Sequence, residues 1–511
     1  MFKNIVYYLT SAILSKPLGF LLSFILAKEL AAENFGVWIT LMIVVAYGPF
    51  VCLGAAETLS KMVPYYRGKN DFTRVREIEN HVMGSIVLAA SVVALGGLAA
   101  PLIIPRVHVH LEPSIVVLLF MSIAASYFSA FFYLRFAAYE NFKMPAILDF
   151  VRSVLALLGV GGLCWAYGFK GAVAGYFIHE FIMCLISARL NIRQYGKVGI
   201  SFDRDGLMHA VRVGFPITLL WFFVTLQNSV DRIVLGGFLG AKAVGFYGLG
   251  MSLTGVLGLM PFVVGRVLYP TVNNQFGKTT DPAMMKKTIL GPTLTLAVLL
   301  VNLQICVLAA TPFLYLKLLP KYEPGMIAGQ ILLLGLFFGS LLRNGANYLI
   351  ASNQERIFLK YILISLTFNI IANVGLVKGG WNLEGVALGT STAGFLLTTL
   401  VWRRVFWCLG FDGRSVWRHL NILYAPFFFV LIGIVILARV YPLPFRTFSF
   451  SSIAAGGGLI LMTNMLLLCL PTYRAEIAKW KNIFTTKGIE PAPTGIKEPG
   501  TNAMSKIFVH K

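Results

Sequence analysis

Charge is scarce in this chain, and acidic charge is scarcer still: only 13% of its 511 residues are Asp, Glu, Lys or Arg, with 21 acidic against 43 basic. Soluble domains carry about 25% charged residues. With 57% hydrophobic residues and a mean hydropathy of +0.77, the chain is excluded from that class. Cysteine is sparse too. Cys52, Cys164, Cys184, Cys306, Cys408 and Cys469 all fall in apolar segments without CxxC spacing, which argues against a disulfide framework or a cysteine metal site. There is no Walker A sequence, no GxSxG and no HExxH, so direct use of ATP and the common hydrolase chemistries are not expected. His108 and His110 form an HxH with only Glu112 nearby, too few ligands for a metal site. No cofactor is expected.

What the chain has is long apolar sequence. A helix needs about 20 apolar residues to cross a bilayer, and such runs recur from end to end. They predict an all-α polytopic membrane protein of about fourteen transmembrane helices, at roughly 9–30, 36–56, 80–104, 114–134, 147–167, 171–188, 211–238, 244–268, 289–312, 324–350, 357–377, 383–402, 421–441 and 448–471. The first follows only MFKNIVYY and no small-residue cleavage site comes after it, so it is expected to be retained. The end of the chain, TTKGIEPAPTGIKEPGTNAMSKIFVHK, has little to bury and is expected to be a disordered tail.

Lys and Arg are unevenly shared between the two sides: even-numbered loops and both termini carry about 28, odd-numbered loops about 9. This bias predicts that both termini face the cytoplasm. It also accounts for much of the net charge of +22, so no nucleic-acid partner is needed.

An offset of 209 positions lays FILAKELAAENFGVW, from Phe24, over IVLGGFLGAKAVGFY, from Ile233, and Gly68-Lys69 over Gly277-Lys278. A weaker echo joins KGAVAGY to EGVALGT. Repeats that start six helices apart begin on the same side of the membrane, which implies two six-helix lobes related by a pseudo-two-fold axis along the membrane normal. The expected organisation is an N-lobe over 1–190, an inter-lobe loop over 191–210, a C-lobe over 211–404, two further helices over 405–471 and the tail over 472–511. Two such lobes can rock about a central site, which is a transporter architecture.

The opening ILSKPLGFLLSFILAKELAAENFGVWITL, the segment VGFPITLLWFFVTLQNSVDRIVLGGFLGAKAVGFYGL and the segment MPFVVGRVLYPTV resemble the polysaccharide transporter (O-antigen flippase type) family of the multidrug/oligosaccharidyl-lipid/polysaccharide exporter superfamily. The resemblance covers helices 1 to 12, and the last two helices match only in hydropathy. It implies an inner-membrane protein, not an enzyme, that moves an undecaprenyl-diphosphate-linked oligosaccharide to the outer leaflet by alternating access. The implied partners are that lipid-linked anionic oligosaccharide, membrane lipid and polysaccharide polymerase or export proteins.

A charge at mid-bilayer costs about 2.5 to 3.5 kcal/mol, so each one within the spans is expected to face a partner or a wet cavity. The basic ones are Lys16, Arg152, Arg212, Arg232, Arg266 and Arg343, and the acidic ones Asp149, Glu180 and Asp231. An excess of cations suits a diphosphate. Lys16, Arg232, Arg266 and Arg343 are therefore the candidate substrate-binding residues, although Lys16, Arg266 and Arg343 lie close enough to span ends to serve as interface anchors instead. Adjacent Asp231 and Arg232 project about 100° apart, so each is expected to need its own partner, in a cavity or in an interhelical ion pair. Asp149 and Arg152, three apart, are expected to pair with each other structurally. Candidates for coupling to an ion gradient are Asp231 and the adjacent His179 and Glu180, the latter two being readable also as a helix-stitching pair. Pro17 and Pro216 are candidate hinges, because proline frees a carbonyl and bends a helix. Within the superfamily a drug extruder or a flippase for lipid-linked peptidoglycan precursor is an alternative. In another class stands a polysaccharide polymerase or ligase, disfavoured by outer loops of about fifteen residues or fewer.

Overall fold

A computed structural model describes residues 2–107, 112–262, 264, 265, 268, 272, 282–440 and 450–474. Among these residues there is no strand, and twelve helical runs are long and apolar enough to cross a membrane. The first half contains α1 (Phe2–Glu29), α2 (Ala32–Tyr47), α3 (Glu57–Gly68), α4 (Phe72–Val107), α5 (Pro113–Ala138), α6 (Lys143–Ala156) and α7 (Gly162–Tyr195). The second contains α8 (Arg204–Gln227), α9 (Val230–Leu257), α10 (Pro282–Pro312), α11 (Met326–Ala351), α12 (Glu355–Lys378) and α13 (Asn382–Cys408), followed by α14 (Gly413–Val440) and α15 (Phe450–Cys469). His108, His110, Arg266 and the tail beyond 474 lie outside the described residues.

Two of these helices are hairpins. In α7, Gly168 has φ 60° and non-helical ψ, and the chain folds back there: a Cβ on Gly171 would strike the Leu163 carbonyl, and one on Gly175 the Gly159 carbonyl. Residue pairs that share a constant sum define antiparallel arms, so the 53-residue apolar run Lys143–Tyr195 accounts for the fifth and sixth expected spans. In α9 the break is Gly240, with φ 79°. That position lies 209 after Ala31, which separates α1 from α2. With Lys143–Tyr195 counted as two crossings, the short first arm of α9 completing the crossing begun by α8, and α15 added, the twelve runs are consistent with fourteen spans.

The repeat is visible as a reciprocal contact. A Cβ on Gly36 would overlap the carbonyl oxygen of Ala241, and one on Gly245 would overlap that of Ala32. Gly36 and Gly245 are equivalent under the 209 offset, as are Ala32 and Ala241, so each half makes the same contact with the other. Gly248 packs on Ile39 in the same parallel register. Small residues let the two backbones approach this closely, as at other intramembrane helix crossings. The two halves thus meet at α2 and the second arm of α9 about a two-fold axis running along the helices.

Three features depart from the sequence expectation. The basic segment between the second and third spans forms α3, an amphipathic helix that buries Leu59 and Val63, and the first turns of α4. The expected seventh span is interrupted at Asn228 and Ser229, where α8 stops and α9 begins. The inter-lobe loop is shorter than expected, residues 196–203, and is bound to α4: Ser201 N donates to the Asn80 carbonyl at 3.1 Å and Gly199 N to Asn80 Oδ1 at 2.8 Å. Beside it Arg135 makes a bidentate pair with Glu79 at 2.8 and 2.9 Å, both 2% exposed, and donates to Asn191 Oδ1 and the Gly196 carbonyl. Asp203 then caps α8 by accepting from Gly206 N. The two additional helices share a core with the second half, α14 packing on α10 and α13, and α15 on α10 and α14.

Candidate functional site: a cleft between the two halves

Helix α1 presents Ser11, Ser15, Gly19 and Ser23 at every fourth position, a spacing that keeps small residues along one gently drifting face. That face, with Lys16, forms one wall of a cleft of about 570 Å³. Asp149, Arg152 and Ser153 of α6 form another wall, and Ser252 and Gly255 of α9, with Phe262, close it from the second half. Because Gly19 and Gly255 have nothing within 4 Å of where a Cβ would stand, the cleft is open along both. Lys16 is exposed there.

Asp149 and Arg152 of this wall are each held by a partner on another helix. Arg152 Nη1 donates to Glu180 Oε1 at 2.6 Å, so its ion pair runs from α6 to α7 and not along α6 to Asp149 as expected. Asp149 Oδ2 instead accepts from the Tyr133 hydroxyl at 3.2 Å, while its carbonyl accepts from Ser153 and Ser15. Glu180 is 3% exposed and Arg152 37%, so the pair joins the interior of the N-lobe to the cleft. His179 Nδ1 stands 3.7 Å from Glu180 Oε1, and neither ring nitrogen has a hydrogen-bond partner among the described residues. The structure thereby unites three expected residues, Arg152, His179 and Glu180, that the sequence placed in two separate motifs.

Asp231 and Arg232 lie elsewhere and pair with each other, a correction to the expectation that they could not. Asp231 Oδ1 accepts from the Arg232 backbone N at 2.8 Å, and Arg232 Nε lies 3.6 Å from the same oxygen. The pair occupies the first turn of α9, where a short carboxylate can turn back to a free backbone N–H and the long guanidinium can fold over it, donating also to the Asn228 carbonyl. Arg232 lines not the cleft but a second, mostly apolar cavity of about 550 Å³ between α2 and the first arm of α9. Asp231 is 3% exposed, and the Tyr247 hydroxyl of the same helix is buried with no hydrogen-bond partner among the described residues. Asn373 donates to Asn369 at 2.9 Å, and both are fully buried. Arg343 is at the cleft margin, its guanidinium 5.5 Å from the Phe262 ring. Arg212 is exposed on α8, and Pro17 and Pro216 lie inside α1 and α8.

The serines of α1, the Tyr133 contact and the Asn369–Asn373 pair were not anticipated. The four-residue spacing in α1 was the available signal for the first, and Asn residues four apart in an apolar helix for the last.

A family model described as polysaccharide biosynthesis protein matches residues 1–275, more than half of the chain. The chain belongs to the polysaccharide biosynthesis protein family. Its likeness to an uncharacterized membrane protein of Methanocaldococcus jannaschii is 22% identity over 424 residues, 77% of this chain and 82% of that protein. In structure, this family member resembles the lipid II flippase MurJ in an inward closed conformation, with a TM-score of 0.68 at 15% identity over 91% of this chain and 99% of that one. It also resembles the Vibrio cholerae MATE transporter VcmN, with a TM-score of 0.57 at 16% identity over 81% and 97% of the two chains. These likenesses show the fold: a multi-span membrane protein built as transporters and flippases are.

Proposed function

We propose that the protein flips a polyprenyl-diphosphate-linked oligosaccharide from the cytoplasmic to the outer leaflet of the inner membrane by alternating access, with both termini in the cytoplasm. The observation that carries this reading is the cleft between the halves, where α1 presents an exposed lysine and a ladder of serines opposite Ser252, Gly255 and Phe262 of the second half. Lys16 and Arg152, both lining the cleft, and Arg343, beside its Phe262, suit phosphate oxygens. Serine hydroxyls, each a donor and an acceptor, suit sugar hydroxyls. Rocking about the Gly36–Gly245 joint, with Pro17 and Pro216 as bends, would expose the cleft to either leaflet in turn. Two buried acidic groups, Glu180 in the N-lobe and Asp231 in the C-lobe, are the candidates for coupling to an ion gradient.

The test uses vesicles containing the purified protein and a lipid-linked oligosaccharide, with flipping read by access of an external glycan-binding probe. Lys16→Gln is expected to leave abundance and unfolding temperature unchanged, because Lys16 is exposed, and to lower the flipping rate at least tenfold. Undiminished flipping by this variant would remove the reading. Replacing a sodium gradient with a pH gradient, for Asp231→Asn and Glu180→Gln in turn, identifies the coupling half.

A further inference from the structure

A third cavity, amphipathic and of about 580 Å³, lies between the beginning of α14 and the end of α15 and shares no lining residue with the cleft. Its wall changes character along α14. Arg414 and Arg418, one turn apart, stand at one end, Asn421 follows, and Ile422 and Phe429 continue it opposite Leu470. Both arginines are exposed, no carboxylate lines the cavity, and neither arginine makes an ion pair or hydrogen bond among the described residues. Trp417, 58% exposed between them, has the position of an interfacial aromatic.

The dimensions match one leaflet. From Arg414 to Phe429 the helix rises roughly 22 Å at 1.5 Å per residue, close to half of a hydrocarbon core of about 30 Å plus one headgroup layer. The basic end belongs to the loop between α13 and α14, on the side that the lysine and arginine bias assigns to the cytoplasm, where anionic lipid is met. We propose that this cavity holds an anionic glycerophospholipid of the inner leaflet, with its phosphate on Arg414 and Arg418 and an acyl chain along Ile422, Phe429 and Leu470. A zwitterionic lipid fits worse, because its ammonium would find two cations and no carboxylate.

The assay is native mass spectrometry of the full-length protein in detergent with added phosphatidylglycerol or phosphatidylethanolamine, comparing wild type, Arg414→Gln/Arg418→Gln and a control, Arg189→Gln/Arg193→Gln, that loses equal charge from exposed positions at the end of α7. Wild type and control are expected to retain phosphatidylglycerol in preference to phosphatidylethanolamine. The first double variant should bind it about thirty-fold more weakly, each surface charge being worth roughly fivefold. An unchanged unfolding temperature without lipid establishes that this variant is folded; if it does not fold, Arg414→Gln is read against Arg189→Gln, with binding roughly fivefold weaker expected. Equal phosphatidylglycerol retention by both double variants, or no preference for the anionic lipid, would overturn the assignment.

Discussion

The bridge between Arg152 and Glu180 responds unequally to loss of its two members. Glu180 is 3% exposed, whereas Arg152 is 37% exposed and reaches into the cleft. Arg152→Met strands a carboxylate in the interior, with Oε2 already lacking a partner among the described residues. Glu180→Gln leaves a guanidinium that water in the cleft can solvate. Breaking a fully buried pair costs about 3 to 5 kcal/mol, and partial exposure of Arg152 reduces this to about 2 to 3 kcal/mol for Arg152→Met. For Glu180→Gln the cost falls to about 1 kcal/mol or less. The double variant should recover at least half of the Arg152→Met loss, because no isolated charge remains. Thermal unfolding of the four purified proteins in detergent, with flipping measured on each, checks this. If Glu180→Gln destabilised as much as Arg152→Met, or the double variant recovered nothing, the carboxylate would not be the buried member. Glu180→Gln that keeps its unfolding temperature but loses flipping would instead mark Glu180 as a coupling group.

Three further outcomes are expected. Gly36→Ala and Gly245→Ala should destabilise by similar amounts, about 1 to 3 kcal/mol each from overpacking, since each methyl meets a backbone carbonyl at the same joint; a large difference between their unfolding temperatures would contradict the two-fold contact. Gly19→Leu should fold normally and flip slowly, because its side chain enters open cleft, and normal flipping by this variant would show that the cleft is not the path. Burial on α3 pushes the Glu57 carboxyl above its ordinary 4.5, so the unfolded chain ionises first and stability falls as pH rises from that value through the raised one. Glu57→Gln should flatten that part of the pH–stability curve and leave the protein more stable at neutral pH than wild type; an unchanged curve would refute it.

Hydropathy made the spans legible, and the 209 offset made the two halves legible, down to the glycine that joins them. What stayed hidden was set by contacts between distant segments. Helix α3 has too little apolar sequence to read as a helix beside its neighbours, yet buries Leu59 against the bundle. Arg152 has one carboxylate three residues before it and another 28 after it, and only the packing of α6 on α7 selects the second. The geometry of Asp231 and Arg232 depended on a helix beginning at Val230, which an uninterrupted apolar run does not announce. For the cleft, the cation at Lys16 was visible, while the serines around it were individually too ordinary to notice.

The segment that joins the halves has a mechanical consequence. Residues 196–203 are fastened to α4 through Asn80 and ringed by the Arg135 network, so they travel with the first half and offer no slack. The first turns of α8 are held to the same half, Leu207 lying against Gly84 and the Ala210 carbonyl accepting from Thr58 at 2.6 Å, so the covalent joint lies farther along α8 and the halves cannot drift apart. A chain severed between Asp203 and Arg204 would present two fragments whose mating surfaces are already complete, and their reassembly when made separately would follow from the same arrangement.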